Sequence, residues 1–268
     1  MIIDFHTHIF PDRIAEKTIE FLSQKSSMPA YADGTLNGLN TALERAGVDI
    51  GVALPVLTRP QSFESVLGFT TRINEGFARG EHRVYSFAGI HPDCEDIDEK
   101  LALIKSLGIK GIKIHPEYQE TNIDDEKYIR IFKAAAREDL IVITHAGKDP
   151  GYPGVVHCSP QRVLNALEKV GTPFKFVLAH MGACGMYEES YELLAGQEVY
   201  FDTSFVLQSM DRDICLKIIE KHGADKILFA SDSPWQDISK MLGYFSKLDI
   251  SEEDKQKILY KNAQKLLQ

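Results

Sequence analysis

The stretch IIDFHTHIFPD, residues 2–12, carries two histidines two positions apart and then a proline. Ile2, Ile3 and Phe5 suit a β-strand, in which successive side chains face opposite ways. Asp4, His6 and His8 are therefore expected on one face. Pro11 has no amide hydrogen to give to a sheet ladder, so the strand is expected to stop near His8. Both imidazoles then sit at its C-terminal end.

Working outward, seven further apolar, β-branched runs follow. They are DIGVALPV (49–56), RVYSFAGIHP (83–92), IKGIKIHP (109–116), LIVITHAG (140–147), KFVLAHMG (175–182), VYFDTS (199–204) and KILFASDSP (226–234). Helical patterns lie between them. ERAGVD and KHGADK each set a glycine after a helix and an aspartate before the next strand. NIDDEKYIRIFKAAARED places Tyr128, Ile129, Phe132 and Ala135 on a helical period. SPQRVLNALEKVG predicts a helix capped by Ser159, with Pro160 in its first turn and Gly171 past its end. The last helix, SEEDKQKILYKNAQKLL, opens on a capping-box pattern.

Eight strands alternating with helices at intervals of roughly thirty residues match the size of βα units. A doubly wound open sheet competes, but the glycine-rich G-x-G-x-x-G turn that marks it does not occur. The expected fold is α/β, a single (β/α)8 TIM barrel forming one domain over residues 1–268.

Bulk properties narrow the function. The 268 residues are 44% hydrophobic, enough for a large core, and the net charge of −9 comes from acids spread along the chain. The absence of a basic cluster argues against nucleic acid as a partner. No apolar run approaches the length of a membrane span, and the chain enters a strand without a leader, so a cytoplasmic protein with no membrane partner is expected. Cys94, Cys158, Cys184 and Cys215 are isolated and read as reduced thiols, with Cys184 a packing residue rather than a nucleophile.

In a TIM barrel the chemistry belongs at the C-terminal ends of the strands. The predicted strand ends carry His6 and His8, then His91, His115, His145, His180 and Asp232. His91 and His115 are each followed by proline, and a structural role competes with a ligand role for both. His157 is expected to fix a loop. His6, His8, His145, His180 and Asp232 form a stronger set, because independent structural histidines have no reason to gather on one rim. Imidazole and carboxylate suit Zn2+ or a similar divalent ion, which lowers the pKa of a bound water or polarises a carbonyl.

The motifs DFHTHIFPD, GIKIHPEYQ, ITHAGKDPGYPG, LAHMGA, VYFDTS, ILFASDSPW and NAQKLL, in this order from residue 2 to about 267, resemble the amidohydrolase superfamily. The nearest branch is the amidohydrolase-2, or ACMSD-related, group of metal-dependent hydrolases and decarboxylases. The resemblance implies metal ligands at His6, His8, His145 and Asp232, with catalytic roles for Asp232 and His180. One metal ion is expected, most simply Zn2+. A second metal or a substrate contact is open to His180, Lys113, Glu117, His115 and His91, since binuclear relatives use a carbamylated lysine or a glutamate on the fourth strand. Asp4 is a candidate partner for Lys113.

The long Gly/Pro-rich segment HAGKDPGYPGVVHCSP (145–160) is expected to cover the barrel mouth and to bring Tyr152 to the substrate. Trp235 is a candidate pocket wall or a packing residue. Arg59 is a candidate for bidentate contact with a substrate carboxylate or for a surface ion pair, and Lys148 has the same two readings. The leading expectation is hydrolysis of a small amide, ester or lactone by a metal-activated water. The alternative is non-oxidative decarboxylation (or hydration) of a small aromatic or unsaturated acid, a lyase reaction. A barrel that binds metal without catalysis would be expected to have lost part of the ligand set. The partner is a small molecule, and amphipathic outer helices suit a homodimer.

Overall fold

A computed structural model describes residues 1–268. Nine parallel strands are β1 (Ile3–Thr7), β2 (Ile50–Ala53), β3 (Val84–Ser86), β4 (Ala88–Gly89), β5 (Gly111–Ile114), β6 (Ile141–Thr144), β7 (Phe176–Leu178), β8 (Tyr200–Asp202) and β9 (Ile227–Leu228). They pair in chain order as two sheets, β1 to β3 and β4 to β9. β3 and β4 are one predicted strand interrupted at Phe87, whose amide donates to Ala53 O at 3.0 Å. At the other seam Phe5 N donates to Phe229 O at 2.9 Å and Asp232 N to His6 O at 2.9 Å, and Thr7 pairs in parallel with Ser233. These bonds close the eight-stranded barrel that the alternation predicts.

The main helices are α1 (Asp12–Ser26), α2 (Leu36–Ala46), α3 (Phe63–Ala78), α4 (Ile97–Ser106), α5 (Glu126–Arg137) and α6 (Pro160–Val170). After the short α7 (Tyr187–Glu189) come α8 (Arg212–His222), α9 (Ile238–Ser246), α10 (Glu252–Gln256) and α11 (Asn262–Leu267). Local chemistry sets their ends. Ser159 accepts from Arg162 N and caps α6, while Gly171 closes it at φ 66°, which costs glycine nothing. Ser251 accepts from Asp254 N and caps α10, but Asp254 Oδ2 accepts from the Ser251 hydroxyl and not from its backbone amide, so the expected capping box forms only in part. The predicted last helix is interrupted by a wider turn at Lys257–Lys261.

Besides a small cluster of Leu39, Leu43 and Ile73 from α2 and α3 against Ala53 and Val84, two apolar layers hold the barrel. The larger packs strand residues such as Ile112, Val142 and Phe176 against the helices. The smaller draws Ile3, Phe5, Val52, Phe87, Ile143, Val177 and Leu228 together with Ala263 and Leu266 of α11. Its strand members lie upstream of the histidines in parallel strands, so it fills the N-terminal end and leaves the other end polar.

β1 departs from simple alternation. Between Asp4 and Thr7 it advances three residues while β2 advances two, from Gly51 to Ala53. This bulge lets Phe5 join the apolar layer while His6 still reaches the mouth. Asp4 is correspondingly turned toward the segment that follows β9, where Oδ1 accepts from Ser231 N at 2.9 Å. It does not share the histidines' environment as strict alternation predicts. Burial pushes its carboxyl up to about 7.

Candidate metal centre and active site

His6, His8 and Asp232 converge from the two ends of the closing seam. His6 Nε2 and His8 Nε2 lie 3.2 Å apart, and Asp232 Oδ1 is 3.4 Å from the first and 3.2 Å from the second. Asp232 reaches in from a left-handed backbone, φ 71°, as does His180, φ 62°. Such conformations cost a non-glycine residue about 1 kcal/mol or more and gather where function fixes the chain.

The other ring nitrogens fix the protons. His6 Nδ1 meets Asp202 Oδ2 at 2.8 Å, His8 Nδ1 meets Leu54 O at 3.1 Å, and His180 Nδ1 meets Ser204 O at 3.1 Å. A carbonyl or carboxylate only accepts, so each Nδ1 carries hydrogen and each Nε2 of a neutral ring presents a lone pair. His6 is held neutral, its pKa down to about 3, by burial and by the nearby Lys113 ammonium. Burial opposes the charge on Asp232, but its contacts with the neighbouring His8, His6 and His180 outweigh it and hold the pKa at about 2, so the carboxylate is the anionic member of the group.

Two lone pairs and an anion therefore face one another within 3.4 Å. Ligand distances of roughly 2.0–2.2 Å give donor separations of about 3–3.5 Å, so the three atoms fit a divalent cation. The acceptor Asp202 orients His6 as second partners orient metal-binding imidazoles generally. Its own carboxylate is kept ionised, against burial, by His6, His180 and Ser204.

His145 belongs to a different grouping. Its donor atoms do not lie within 4.8 Å of all three members of that triad, but they do with those of His115 and Asp149. His145 Nδ1 is 3.0 Å from His180 Nε2, and its buried Nε2 has no partner. The His115 and His145 rings stack at 4.5 Å, and His115 Nε2 is 3.4 Å from Asp149 Oδ2. Gly147 brings this loop against the next one: Gly147 pairs with Cys184, and a Cβ there would collide with the Cys184 backbone nitrogen.

Above these residues lies a cavity of about 790 Å³. Lys113, Tyr152, Lys148 and Trp235 all line it, the last in the wall position considered for it. Lys113 Nζ is buried 3.2 Å from His6 Nε2, rather than paired with Asp4, and burial lowers its pKa to about 8. Three expected contacts fall outside the cavity lining. Arg59 is exposed, because the loop after β2 turns its side chain to solvent. His91 is a structural residue whose Nδ1 accepts from Asp93 N at 3.1 Å. Glu117 is fully buried behind His115 and accepts from His157 N at 2.9 Å, which gives His157 its loop-fixing contact. Burial raises the Glu117 carboxyl to about 7. Cys184 borders the cavity, but burial pushes its thiol up to about 11, which suits packing and not nucleophilic attack.

Sequence reading missed Asp202, Ser204 and Asp149, as well as the row of α1 side chains lining the cavity. Asp202 and Ser204 had a signal, because VYFDTS puts them at the end of the seventh strand.

The profile of the Amidohydro_2 family, described as Amidohydrolase, matches residues 3–268. The chain belongs to this amidohydrolase family. No curated protein sequence matches it significantly. Among solved structures, an uncharacterized TIM-barrel protein from Bordetella bronchiseptica aligns at a TM-score of 0.79 and 16% identity, over 99% of this chain and 98% of the other. A dihydroxybenzoic acid decarboxylase from Polaromonas sp. JS666, with bound manganese and the inhibitor 2-nitroresorcinol, aligns at 0.73 and 18%, covering 99% and 96%. A 5-carboxyvanillate decarboxylase from Novosphingobium aromaticivorans, complexed with manganese and 4-hydroxy-3-methoxy-5-nitrobenzoic acid, aligns at 0.72 and 15%, covering 100% and 96%. The shared architecture is the TIM barrel.

Proposed function

We propose that this amidohydrolase-family enzyme is a metal-dependent, non-oxidative decarboxylase of a small aromatic or unsaturated carboxylic acid. The observation that carries the reading is Lys113. It is a buried ammonium beside the candidate metal triad, lining the cavity, with no carboxylate in ion-pair contact. A neutral lactone or amide gives such a charge nothing to meet, whereas an acid completes it. The likeness in fold to decarboxylases of hydroxylated benzoic acids supports the same choice.

In this proposal His6, His8 and Asp232 hold the metal, with His145 as a fourth ligand. A divalent cation held by these residues would supply Lewis-acid charge toward the substrate carboxylate. Zn2+ suits the donor set, and the manganese in the two decarboxylases makes Mn2+ an equal candidate. Lys113 neutralises substrate charge. Asp202 and Leu54 O keep the two Nε2 lone pairs aimed inward. His180, anchored through Nδ1, holds a proton at Nε2 in its charged form and delivers it to the ring carbon that bears the carboxylate. The carbon–carbon bond then breaks, CO2 leaves, and its electron pair returns to the ring. His180 regains a proton from water.

Hydrolysis is the second reading, and Asp232 favours it: an ionised carboxylate at the triad is placed to take a proton from an attacking water. One experiment separates the two. Protein loaded with Mn2+ or Zn2+ is offered 2,6-dihydroxybenzoate and 5-carboxyvanillate, and separately neutral lactones and amides. Release of CO2 from the acids supports decarboxylation. Turnover of the neutral compounds alone overturns it in favour of hydrolysis.

A further inference from the structure

The cavity is larger and more cationic than a single benzoate needs. A void of about 150 Å³ already accommodates benzene, and this one measures about 790 Å³. In a chain of net charge −9, its lining carries the five cations Arg13, Lys17, Lys25, Lys113 and Lys148 against the two carboxylates Asp149 and Asp232. Only Lys113 belongs to the floor beside the metal triad.

Three of the others come from one helix. Arg13, Lys17, Phe21 and Lys25 follow one another at four-residue spacing along α1, so they form a single row, about 18 Å long at 1.5 Å per residue. All four line the cavity. Ala15 is the one buried residue of α1, so the helix lies over the barrel mouth instead of being sunk into the core. Its far end is tied down by Lys25, whose Nζ stands 3.5 Å from the centre of the Tyr152 ring. Arg13, Lys17, Lys25 and Lys148 are exposed at the cavity and form no ion pair. A row of cations left without anions along a cavity with an apolar body is the arrangement an anionic ligand completes.

We infer that the α1 row, with Lys148, forms a distal anion subsite, and that the substrate is an extended aromatic acid with a second acidic group. This rests on the acid-decarboxylase reading, and it adds what the substrate's other end must be. The reacting carboxylate lies at the triad and Lys113. The aromatic body lies against Phe21 and Tyr152. The second anion meets Lys17 and Lys25.

The test is calorimetric titration of the Mn2+-loaded protein with two probes, para-biphenylcarboxylate and its para,para′-dicarboxylate. The proposal expects the diacid to bind about tenfold tighter, as one added charge-assisted contact provides. In the Lys17→Gln/Lys25→Gln variant that ratio is expected to fall to about one; glutamine keeps helix propensity, and a circular dichroism melt verifies the fold. Equal affinities in the wild type, or a diacid advantage that survives in the variant, overturn the subsite alone. Binding of neither probe overturns the acid reading of the active site and the subsite with it.

Discussion

His6, His8 and Asp232 on one side of the barrel mouth, and His115, His145 and Asp149 on the other, are each two imidazoles and a carboxylate. They differ in what stands behind them. His6 Nδ1 is fixed by Asp202 and His8 Nδ1 by Leu54 O, so both lone pairs are aimed inward. In the second group His115 Nδ1 and His145 Nε2 have no partner, and Asp149 sits in a loop, accepting from Gly151 N. Burial drives the imidazoles of His115 and His145 far below their usual pKa and raises that of Asp149. The first group keeps its carboxylate charged and both rings oriented; in the second His145 is held through Nδ1, 3.0 Å from His180 Nε2, with Nε2 left free, while His115 Nδ1 is buried with no hydrogen-bond partner. Ligand identity alone does not make a metal site; the atoms that orient the ligands do.

The comparison can be broken most directly at His8. His8→Ala is expected to weaken metal binding by more than about 100-fold, read by competition against a fluorescent chelator, because it removes one of the proposed ligands. Retention of wild-type affinity would remove the triad from the account. Lys113→Gln is expected to weaken binding of an aromatic acid by roughly 10- to 100-fold, the value of a charge-assisted contact. Calorimetry on the metal-loaded variant checks it, and an unchanged affinity would return the choice to hydrolysis.

Asp202→Asn leaves all three triad residues in place but replaces the anion that orients His6. A loss of about 10-fold in metal affinity, up to 100-fold, is expected. No loss would mean that orientation is not what separates the two groups.

His222 extends the comparison to a histidine far from the mouth. It stacks on Phe201 at 3.9 Å, accepts from Gly196 N, and burial holds its pKa down at about 4. The unfolded chain, with a value near 6.5, binds the proton first. The stability that neutral His222 provides is thus complete above about pH 6.5 and is lost as pH falls toward about 4. His222→Gln should flatten the pH dependence of unfolding free energy in that window by up to about 1.4 kcal/mol per pH unit. Urea melts at several pH values measure it, and an unaltered slope would refute the assignment. Asp149→Ala is expected to have the smallest effect, changing metal affinity by less than about threefold, since no oriented pair depends on it.

Much of this was legible in the sequence. The alternation of short apolar runs with capped helices carried the barrel, and the strand ends carried His6, His8, His145, His180 and Asp232, all of which line the cavity. What was hidden is non-local. The bulge in β1 that moves Asp4 away from the histidines depends on pairing with β2. Asp202 braces His6 across 196 residues of chain. The place of Arg59 after β2 leaves a substrate contact and a surface position equally open, because the direction of a loop side chain is set by packing that no local pattern records. The cationic row of α1 is plain in DRIAEKTIEFLSQKS, yet its meaning depends on what the helix covers.

The most direct test of the central claim is metal content by elemental analysis of the reconstituted wild type, His8→Ala and His115→Ala. About one equivalent in the wild type and in His115→Ala, with none in His8→Ala, is the predicted result. Metal retained in His8→Ala and lost in His115→Ala would contradict it and place the ion in the other group.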